Sequence, residues 1–178
     1  TRGHGQSDAP AGHYSLSMIA ADIAGLLGTL KIDRVHFCGV SMGGMIAQTL
    51  ALEHPELIAS LMLVNTTCEY TDAQRVLWRD RADMALRGGI EAVHVVLMDR
   101  WFTRDAADRR LPGYVYMEET FRRFKPSSFD SVIEAMRGLD TLARLPGIKV
   151  PTMVVATPDD PGAPTETSRK MAAAIPGS

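Results

Sequence analysis

The segment that most constrains how this chain folds is the run GVSMG, from Gly39 to Gly43. An apolar stretch from Val35 to Cys38 precedes it and an amphipathic stretch from Met42 to Leu52 follows it, which predicts a strand, a tight turn and a helix. A serine at the apex of such a turn has a crowded backbone, so the residues two positions before and after it need to be nearly free of side chains. Gly39 and Gly43 meet that need, and we predict a strained turn at Ser41.

The pattern G-x-S-x-G between a strand and a helix is typical of a nucleophile elbow, a turn that exposes a serine hydroxyl for nucleophilic attack. The same short pattern also arises by chance around surface serines. The apolar strand before Ser41 and the helical pattern after it favour the elbow. We therefore treat Ser41 as the candidate nucleophile.

Other apolar patterns place the turn in an α/β fold. Residues 15–30 have apolar side chains at helical spacing, with Ser15 as a candidate N-cap, and 61–64 and 150–156 read as buried strands. Strand, helix and strand joined by short links predict parallel pairing with a right-handed crossover. Residues 165–175 predict a further helix.

Between residues 67 and 145 the strand signals disappear and helical patterns replace them. We predict an insertion of helices in a sheet domain made of residues 1–66 and 146–178. The predicted helices of the insertion cover residues 72–86, 90–99, 114–124 and 127–136.

Composition excludes several classes of function. A net charge of -2 gives no electrostatic reason to expect nucleic acid or an acidic membrane as a partner. The chain contains no apolar run of the roughly 18 residues that a membrane span needs. Its two cysteines, Cys38 and Cys68, make no disulfide framework, which fits a reducing cytoplasm. No metal-ligand cluster or phosphate loop is evident, so we predict no metal and no cofactor, and we predict no particular oligomeric state.

The start of the chain predicts that it is an internal piece of a longer protein. Thr1 opens a polar, glycine-rich turn with no predicted element before it. Three parallel strands would also leave both outer strands with open edges. We therefore expect strands to be missing on both sides.

Together these segments resemble the α/β-hydrolase superfamily. The run TRGHGQS, residues 1–7, is similar to the R-G-x-G-x-S loop of that family, and the elbow follows after one helix and one strand, as the family order requires. The resemblance implies a partial α/β-hydrolase fold, with residues 67–145 as the helical cap. Residues 36–44 (HFCGVSMGG) and 99–103 (DRWFT) resemble the elbow and a cap signature of 3-oxoadipate enol-lactonases.

The resemblance implies a catalytic triad in the chain order serine, acid, histidine. Ser41 would be the nucleophile, and the backbone N–H of Met42 would be one oxyanion donor. The acid belongs in the loop after Ala156, where both Asp159 and Asp160 lie. Asp160 is favoured because Pro164 follows it at the family spacing, although such aspartates also form turn hydrogen bonds.

No histidine follows Asp160, so the sequence does not supply a residue at the expected position of the base. The five histidines are His4, His13, His36, His54 and His94, and each is better explained as a loop, strand, surface or helix residue. We expect the general base to be absent from this polypeptide. The isolated chain should then be inactive.

Trp101 is the candidate substrate-binding residue, because it lies in the segment that resembles the lactonases. An arginine that binds a substrate carboxylate is expected on chemical grounds, and Arg79, Arg81 and Arg100 are all candidates. Cys38 could in principle be a nucleophile but is interpreted as a small buried apolar residue.

Three hypotheses for function remain open. The first is a cytoplasmic hydrolase of 3-oxoadipate enol-lactone in the catabolism of aromatic compounds, as the resemblance implies. The second is another hydrolase of the same fold: a general carboxylesterase, a peroxidase-like enzyme or a hydrolase of carbon–carbon bonds. The third is a ligand-binding protein without catalytic activity, because a fold does not determine a function.

Overall fold

The computed structural model describes residues 1–158, 160 and 162–178. The chain divides into two compact units. One, the sheet unit, contains Tyr14–Thr71 and Gly138–Ser178, and the other, the helical unit, contains Thr1–His13 and Asp72–Arg137. The functional division into a core and a cap at residues 66/67 and 145/146 stays a prediction.

The sheet unit is built on three parallel strands in the order β1-β2-β3. The strands are β1 Val35–Val40, β2 Ile58–Val64 and β3 Thr152–Val155. Their parallel pairing confirms the predicted α/β class. Because all three strands run in one direction, their carboxyl ends lie at one edge of the sheet.

Eight α-helices accompany the strands in the described chain. In chain order they are α1 Leu16–Thr29, α2 Met42–Glu53, α3 Asp72–Gly88, α4 Glu91–Trp101, α5 Arg104–Asp108, α6 Pro112–Arg122, α7 Pro126–Arg137 and α8 Thr165–Ala174. The short α5 was not predicted, because its five residues carry no helical apolar period. The other seven helices match predicted ones.

Helices α1 and α2 pack against each other, and α2 lies on β1 and β2. Ser15 caps α1, since its hydroxyl accepts a hydrogen bond from the Met18 N–H at 3.1 Å, which confirms the predicted N-cap. The core of the unit includes Leu50, Ile58 and Leu63, all fully buried. This packing fixes the position of α2, the helix that follows the turn at Ser41.

The opposite face of the sheet carries exposed apolar side chains. Cys38, Met62 and Met153 lie side by side in register on the three strands, and all three are exposed. The prediction that Cys38 is buried was therefore wrong. Alternation along β1 directs Cys38 away from the core, and a short strand pattern does not reveal which face is covered.

A buried polar network joins α2 to two loops of the sheet unit. Gln48 is fully buried, and its Nε2–H donates to the Thr67 carbonyl at 2.9 Å. The Thr141 hydroxyl donates to Gln48 Oε1 at 2.6 Å and also lies 3.0 Å from the Cys68 carbonyl. Since a buried polar group is costly when it loses its partner, this network holds the loop after β2 firmly on α2.

In the helical unit, α3 packs along α7 and an ion-pair network ties the two helices. The Arg79 guanidinium lies 2.7 Å from Asp83, 2.6 Å from Asp130 and 2.6 Å from Glu134. Arg137 binds the same Glu134 oxygen at 2.6 Å. Burial alone would lower the pKa of Arg79, but the hydrogen bonds that it donates to three carboxylates outweigh burial and raise it. Arg79 is therefore a structural residue that joins α3 to α7.

Glu134 makes the stability of the helical unit depend on pH. Burial raises its pKa, but its bonds to Arg137 and Arg79 outweigh burial and hold the pKa below the ordinary value. A lowered folded-state pKa contributes stability above the unfolded-state pKa of about 4.3, and that stability is lost as the pH falls through the folded-state value. Glu134→Gln should therefore lower the free energy of unfolding by about 1 kcal/mol at pH 7, with a difference that shrinks towards pH 3.

Urea unfolding followed by circular dichroism at several pH values measures this difference. Glu119→Gln is the matched control, because Glu119 is exposed and lies 3.9 Å from Arg123. If the loss of unfolding free energy in Glu134→Gln stays constant down to pH 3, the ion pairs contribute no pH-dependent stability.

Candidate active site

Ser41 lies on the turn between β1 and α2 in a strained backbone conformation. Its φ is 52° and its ψ is -117°, values that side-chain-bearing residues rarely adopt. The Ser41 N–H donates to the Val64 carbonyl at 3.0 Å, which extends the β1–β2 ladder into the turn. The side chain is exposed. The structure thus contains the strained strand-to-helix turn that the sequence predicts.

Gly39 permits this turn because it lies directly against the start of α2. A Cβ on Gly39 would overlap the Gly43 carbonyl group and lie 2.6 Å from the Gly44 nitrogen. Backbone atoms cannot move away as a flexible side chain can. A side chain at position 39 is therefore incompatible with the observed turn.

The steric requirement predicted for Gly43 falls instead on Gly44. A Cβ on Gly43 would meet nothing within 4 Å, whereas one on Gly44 would lie 2.6 Å from the Thr66 Cβ. The prediction for Gly43 was wrong. Its backbone carbonyl group lies against Gly39, but a side chain at position 43 would point into open space. The close neighbour of Gly44 comes from the loop after β2 and is invisible in the local pattern.

The backbone N–H of Met42 is available at the first position of α2. The first N–H groups of a helix have no intrahelical acceptor and lie at the positive end of the helix dipole. Met42 is half-buried and directly follows Ser41. This geometry suits the binding of an oxygen atom that gains negative charge.

Ser41 and Asp160 lie beyond the same edge of the sheet. Ser41 follows β1, Asn65 follows β2, and Thr157 and Asp160 follow β3. Adjacent strands are about 4.8 Å apart, so the ends of β1 and β3, on either side of β2, lie about 10 Å from each other. The sheet therefore brings two of the predicted site residues to one edge, with Asn65 between their strands.

Asp160 is half-buried and one of its carboxylate oxygens binds its own turn. Oδ1 accepts hydrogen bonds from the Gly162 N–H at 2.7 Å and the Ala163 N–H at 3.2 Å. These are the turn contacts that the sequence offered as the alternative explanation of Asp160, and they also orient the carboxylate. The other candidate acid, Asp159, lies outside the described residues.

Asn65 and Thr66 are two residues of this edge that sequence reasoning missed. Asn65 has a φ of 43°, and its Nδ2–H donates to the Thr157 hydroxyl at 2.7 Å. The Thr66 hydroxyl donates to the Ser41 carbonyl at 2.6 Å. An asparagine directly after a buried strand was the available signal, because asparagine adopts positive φ more readily than most residues.

Trp101 lies in the helical unit, at the end of α4. It is 45% exposed, and its ring lies nearly perpendicular to that of Phe121 with centroids 5.5 Å apart. Phe121 also contacts Phe129 and the ring of His94. The Nε2 atom of His94 is buried without a hydrogen-bond partner among the described residues. Trp101 is therefore packed against Phe121 and partly exposed.

His4 also belongs to the helical unit. Its Nδ1 lies 3.1 Å from the Arg2 carbonyl, and its ring packs on Phe124 with centroids 4.9 Å apart. Burial lowers the pKa of His4 below its ordinary value, which favours the neutral ring. These contacts agree with the expected role in shaping the loop.

The three arginines proposed to bind a substrate carboxylate differ in their surroundings. Arg79 is occupied by three carboxylates of its own unit, so it is not available to a ligand. Arg81 is buried and its guanidinium lies 4.6 Å from the centre of the Trp78 ring. Arg100 is half-buried on α4, next to Trp101 in the chain.

The Cys68 thiol lacks the properties of an activated nucleophile. Burial is the largest of the effects that raise the pKa of the Cys68 thiol to about 11. Cys38 lies on the exposed face of the sheet, within β1.

In the described part of the chain no three acidic, histidine or cysteine side chains lie close enough to hold a metal ion. No helix among the described residues is long and apolar enough to cross a membrane.

The fold agrees with comparisons to known proteins. The chain belongs to the alpha/beta hydrolase fold family, which matches residues 1–178. It is 30% identical over 161 residues to 3-oxoadipate enol-lactonase 2 of Acinetobacter baylyi, covering 90% of this chain and 60% of that protein. The resemblance to the superfamily is thereby confirmed.

Two further relatives cover a similar region. The crystal structure of the enol-lactonase from Burkholderia xenovorans LB400 superposes with a TM-score of 0.93 at 36% identity, over 99% of this chain and 67% of that one. A protein of Rhizobium rhizogenes provisionally named carbamate hydrolase RutD is 31% identical over 166 residues, which is 88% of this chain and 61% of that protein. The chain spans about 60% of the length of the curated relatives it matches.

The close approach at Gly39 generates a prediction with an internal control. Gly39→Ala should destabilise the protein by about 3 kcal/mol or more, because the new methyl group overlaps backbone. Gly43→Ala places its methyl group in open space within α2, so it should be neutral or stabilise by up to about 1 kcal/mol. Thermal unfolding of both variants measures the difference. Equal tolerance of the two substitutions would contradict the close approach.

Proposed function

We propose that the protein carrying this sequence is a serine hydrolase of small esters or lactones, with Ser41 as its nucleophile. The observation that carries the proposal is the φ of 52° at Ser41, on a turn between a parallel strand and the start of a helix. Strain of this kind persists where the surrounding structure enforces it, often at functional sites. The substrate we favour is 3-oxoadipate enol-lactone, because two relatives are named as lactonases of this kind.

In this proposal the Ser41 oxygen attacks the carbonyl carbon of the lactone while its proton passes to a base. The carbonyl oxygen becomes an oxyanion beside the Met42 N–H. Collapse of the tetrahedral intermediate breaks the ring C–O bond and leaves an acyl group on Ser41. The departing enol oxygen takes a proton, and water then releases the acyl group as a carboxylate. Asp160 would orient the base and stabilise its charged form.

Substrate recognition is proposed for the segment that resembles the lactonases. Trp101 would contact the lactone ring, and Arg100 or Arg81 would bind a substrate carboxylate. Arg79 is left out because its own carboxylates occupy it. The division into a core, residues 1–66 and 146–178, and a cap, residues 67–145, is part of this proposal. We place the reaction in the cytoplasm, in the catabolism of aromatic compounds.

Hydrolysis of a carbamate is the second candidate. The 31% identity to the protein provisionally named carbamate hydrolase RutD favours it, and the same serine chemistry would apply to a carbamate carbonyl. A carboxylesterase of broader specificity, acting through the same site, is the third candidate. The three differ in substrate and not in the role of Ser41.

The test uses the full-length gene product and follows the ultraviolet absorbance that the enol-lactone loses when its ring opens. Ser41→Ala should lower kcat by a factor of about 10⁴ or more, because the covalent route is removed. Ser17→Ala is the matched control, since Ser17 is exposed on α1 and binds Glu53. Because no histidine follows Asp160 in the printed sequence, the 178-residue polypeptide alone should show no turnover.

Two results would contradict the proposal. A folded full-length product that opens neither the lactone nor aryl acetates nor carbamates would exclude a serine hydrolase. Release of carbon dioxide from a carbamate without lactone turnover would replace the favoured substrate by the second candidate and leave Ser41 in its role.

A further inference from the structure

Two adjacent residues at the end of the middle strand bind the loops on either side of it. Thr66 contacts the turn after β1, and Asn65 contacts the loop after β3. The loop that carries them is held against α2, because the Gln48 side chain donates a hydrogen bond to the carbonyl of Thr67. The pair therefore lies on a fixed support between the proposed nucleophile and the proposed acid.

Thr66 acts on the peptide group that joins Ser41 to Met42. Its hydroxyl donates to the Ser41 carbonyl at 2.6 Å, and the Gly44 and Met45 N–H groups donate to the same oxygen at 2.9 and 3.3 Å. In a planar trans peptide, the carbonyl of one residue and the N–H of the next point in opposite directions. The contacts that hold the Ser41 oxygen therefore also set the direction of the Met42 N–H.

The hydroxyl of Thr66 cannot easily turn away from this contact. Thr66 is 1% exposed, and its Cβ, Cγ2 and Oγ1 all lie within 2.7 Å of the place where Gly44 would carry a Cβ. Packing against the bare backbone of Gly44 thus restricts the threonine. A buried hydroxyl held in this way provides a fixed hydrogen bond for the turn.

Asn65 connects the same support to the acid loop. Its N–H donates to the Val155 carbonyl at 2.9 Å, and its side chain donates to the Thr157 hydroxyl at 2.7 Å. The Thr157 carbonyl in turn accepts the Asp160 N–H at 3.3 Å. The φ of 43° at Asn65 directs the chain so that Asn65 and Thr66 bind opposite neighbours.

We propose that Asn65 and Thr66 are positioning residues: Thr66 aims the Met42 N–H at the oxyanion, and Asn65 holds the loop that carries Asp160. This inference rests on the proposed function of Ser41, Met42 and Asp160. It adds that the separation between nucleophile and acid is set by side chains of the loop that follows the strand between them. Neither residue touches the reacting atoms.

For Thr66 the experiment compares two variants of the full-length gene product. Thr66→Val keeps the shape and removes the donor, while Thr66→Ser keeps the donor and removes the methyl group that packs on Gly44. Thr66→Val should lower kcat about tenfold to hundredfold with KM nearly unchanged, since a misdirected donor costs part of the effect of a deleted one. Thr66→Ser should retain kcat within about threefold, even where its melting temperature falls as much as that of Thr66→Val.

Thr67→Val is the matched control, because the Thr67 hydroxyl binds the Glu69 carbonyl and not the turn. Its kcat should equal that of the unsubstituted protein. If kcat falls equally in Thr66→Val and Thr66→Ser, or in neither, the positioning role of Thr66 is wrong.

Asn65→Gly removes the side chain and keeps the positive φ accessible. It should lower kcat about tenfold with KM nearly unchanged, because the loop that carries Asp160 loses its anchor. Thr157→Val removes the other partner, and the double variant should be no worse than either single one. Additive losses, or a change in KM with kcat unchanged, would overturn the role of Asn65.

Hydrogen exchange separates this inference from the proposed function. In Thr66→Val the Gly44 and Met45 amides should exchange faster while those of α1 exchange at an unchanged rate, since the Ser41 carbonyl that they bind is no longer held in place by the Thr66 hydroxyl. This readout needs no turnover. An unsubstituted protein that hydrolyses nothing would refute the proposed function, whereas unchanged exchange at Gly44 and Met45 would refute the positioning of the turn by Thr66.

Discussion

The contact between Gly39 and the first turn of α2 is the constraint on which the site depends. Backbone meets backbone there, with a Cβ position 2.6 Å from the Gly44 nitrogen, so the chain must reverse within the few residues around Ser41. The reversal places Ser41 at a positive φ of 52°. The energy of that strained conformation is offset by the packing of α2 on β1 and β2 and by the hydrogen bond to Val64. The strained geometry at Ser41 is thus a consequence of how a strand and a helix pack.

The sheet then determines which residues lie near the turn. Parallel strands end at one edge, so loops that are distant in sequence become neighbours. Asn65 and Thr66 at the end of β2 bind both outer loops, and Gln48 fixes their loop from α2. The helical unit is stabilised separately, by the ion pairs of Arg79 between α3 and α7. Membership of the alpha/beta hydrolase fold family agrees with this architecture.

Local patterns were sufficient to predict the strands, seven of the helices and the strained turn, because each depends on the spacing of neighbouring residues. Contacts between distant segments were not predictable. Gly44 is crowded by Thr66 from the loop after another strand, Cys38 is exposed because one sheet face is uncovered, and Arg79 is occupied by carboxylates 51 and 55 positions away. The choice between Gly43 and Gly44 shows the limit most clearly, since the motif ends at Gly43 whereas the close contact falls on Gly44.

The most direct test of the account is to stop the turnover of a slowly hydrolysed ester by acid and to locate the acyl group by peptide mass mapping. In the full-length gene product the account predicts an acyl group on the peptide that contains Ser41, and specifically on its hydroxyl oxygen. An acyl group on Cys38, the exposed thiol of β1, would contradict it, as would steady turnover with no acylated peptide at any time.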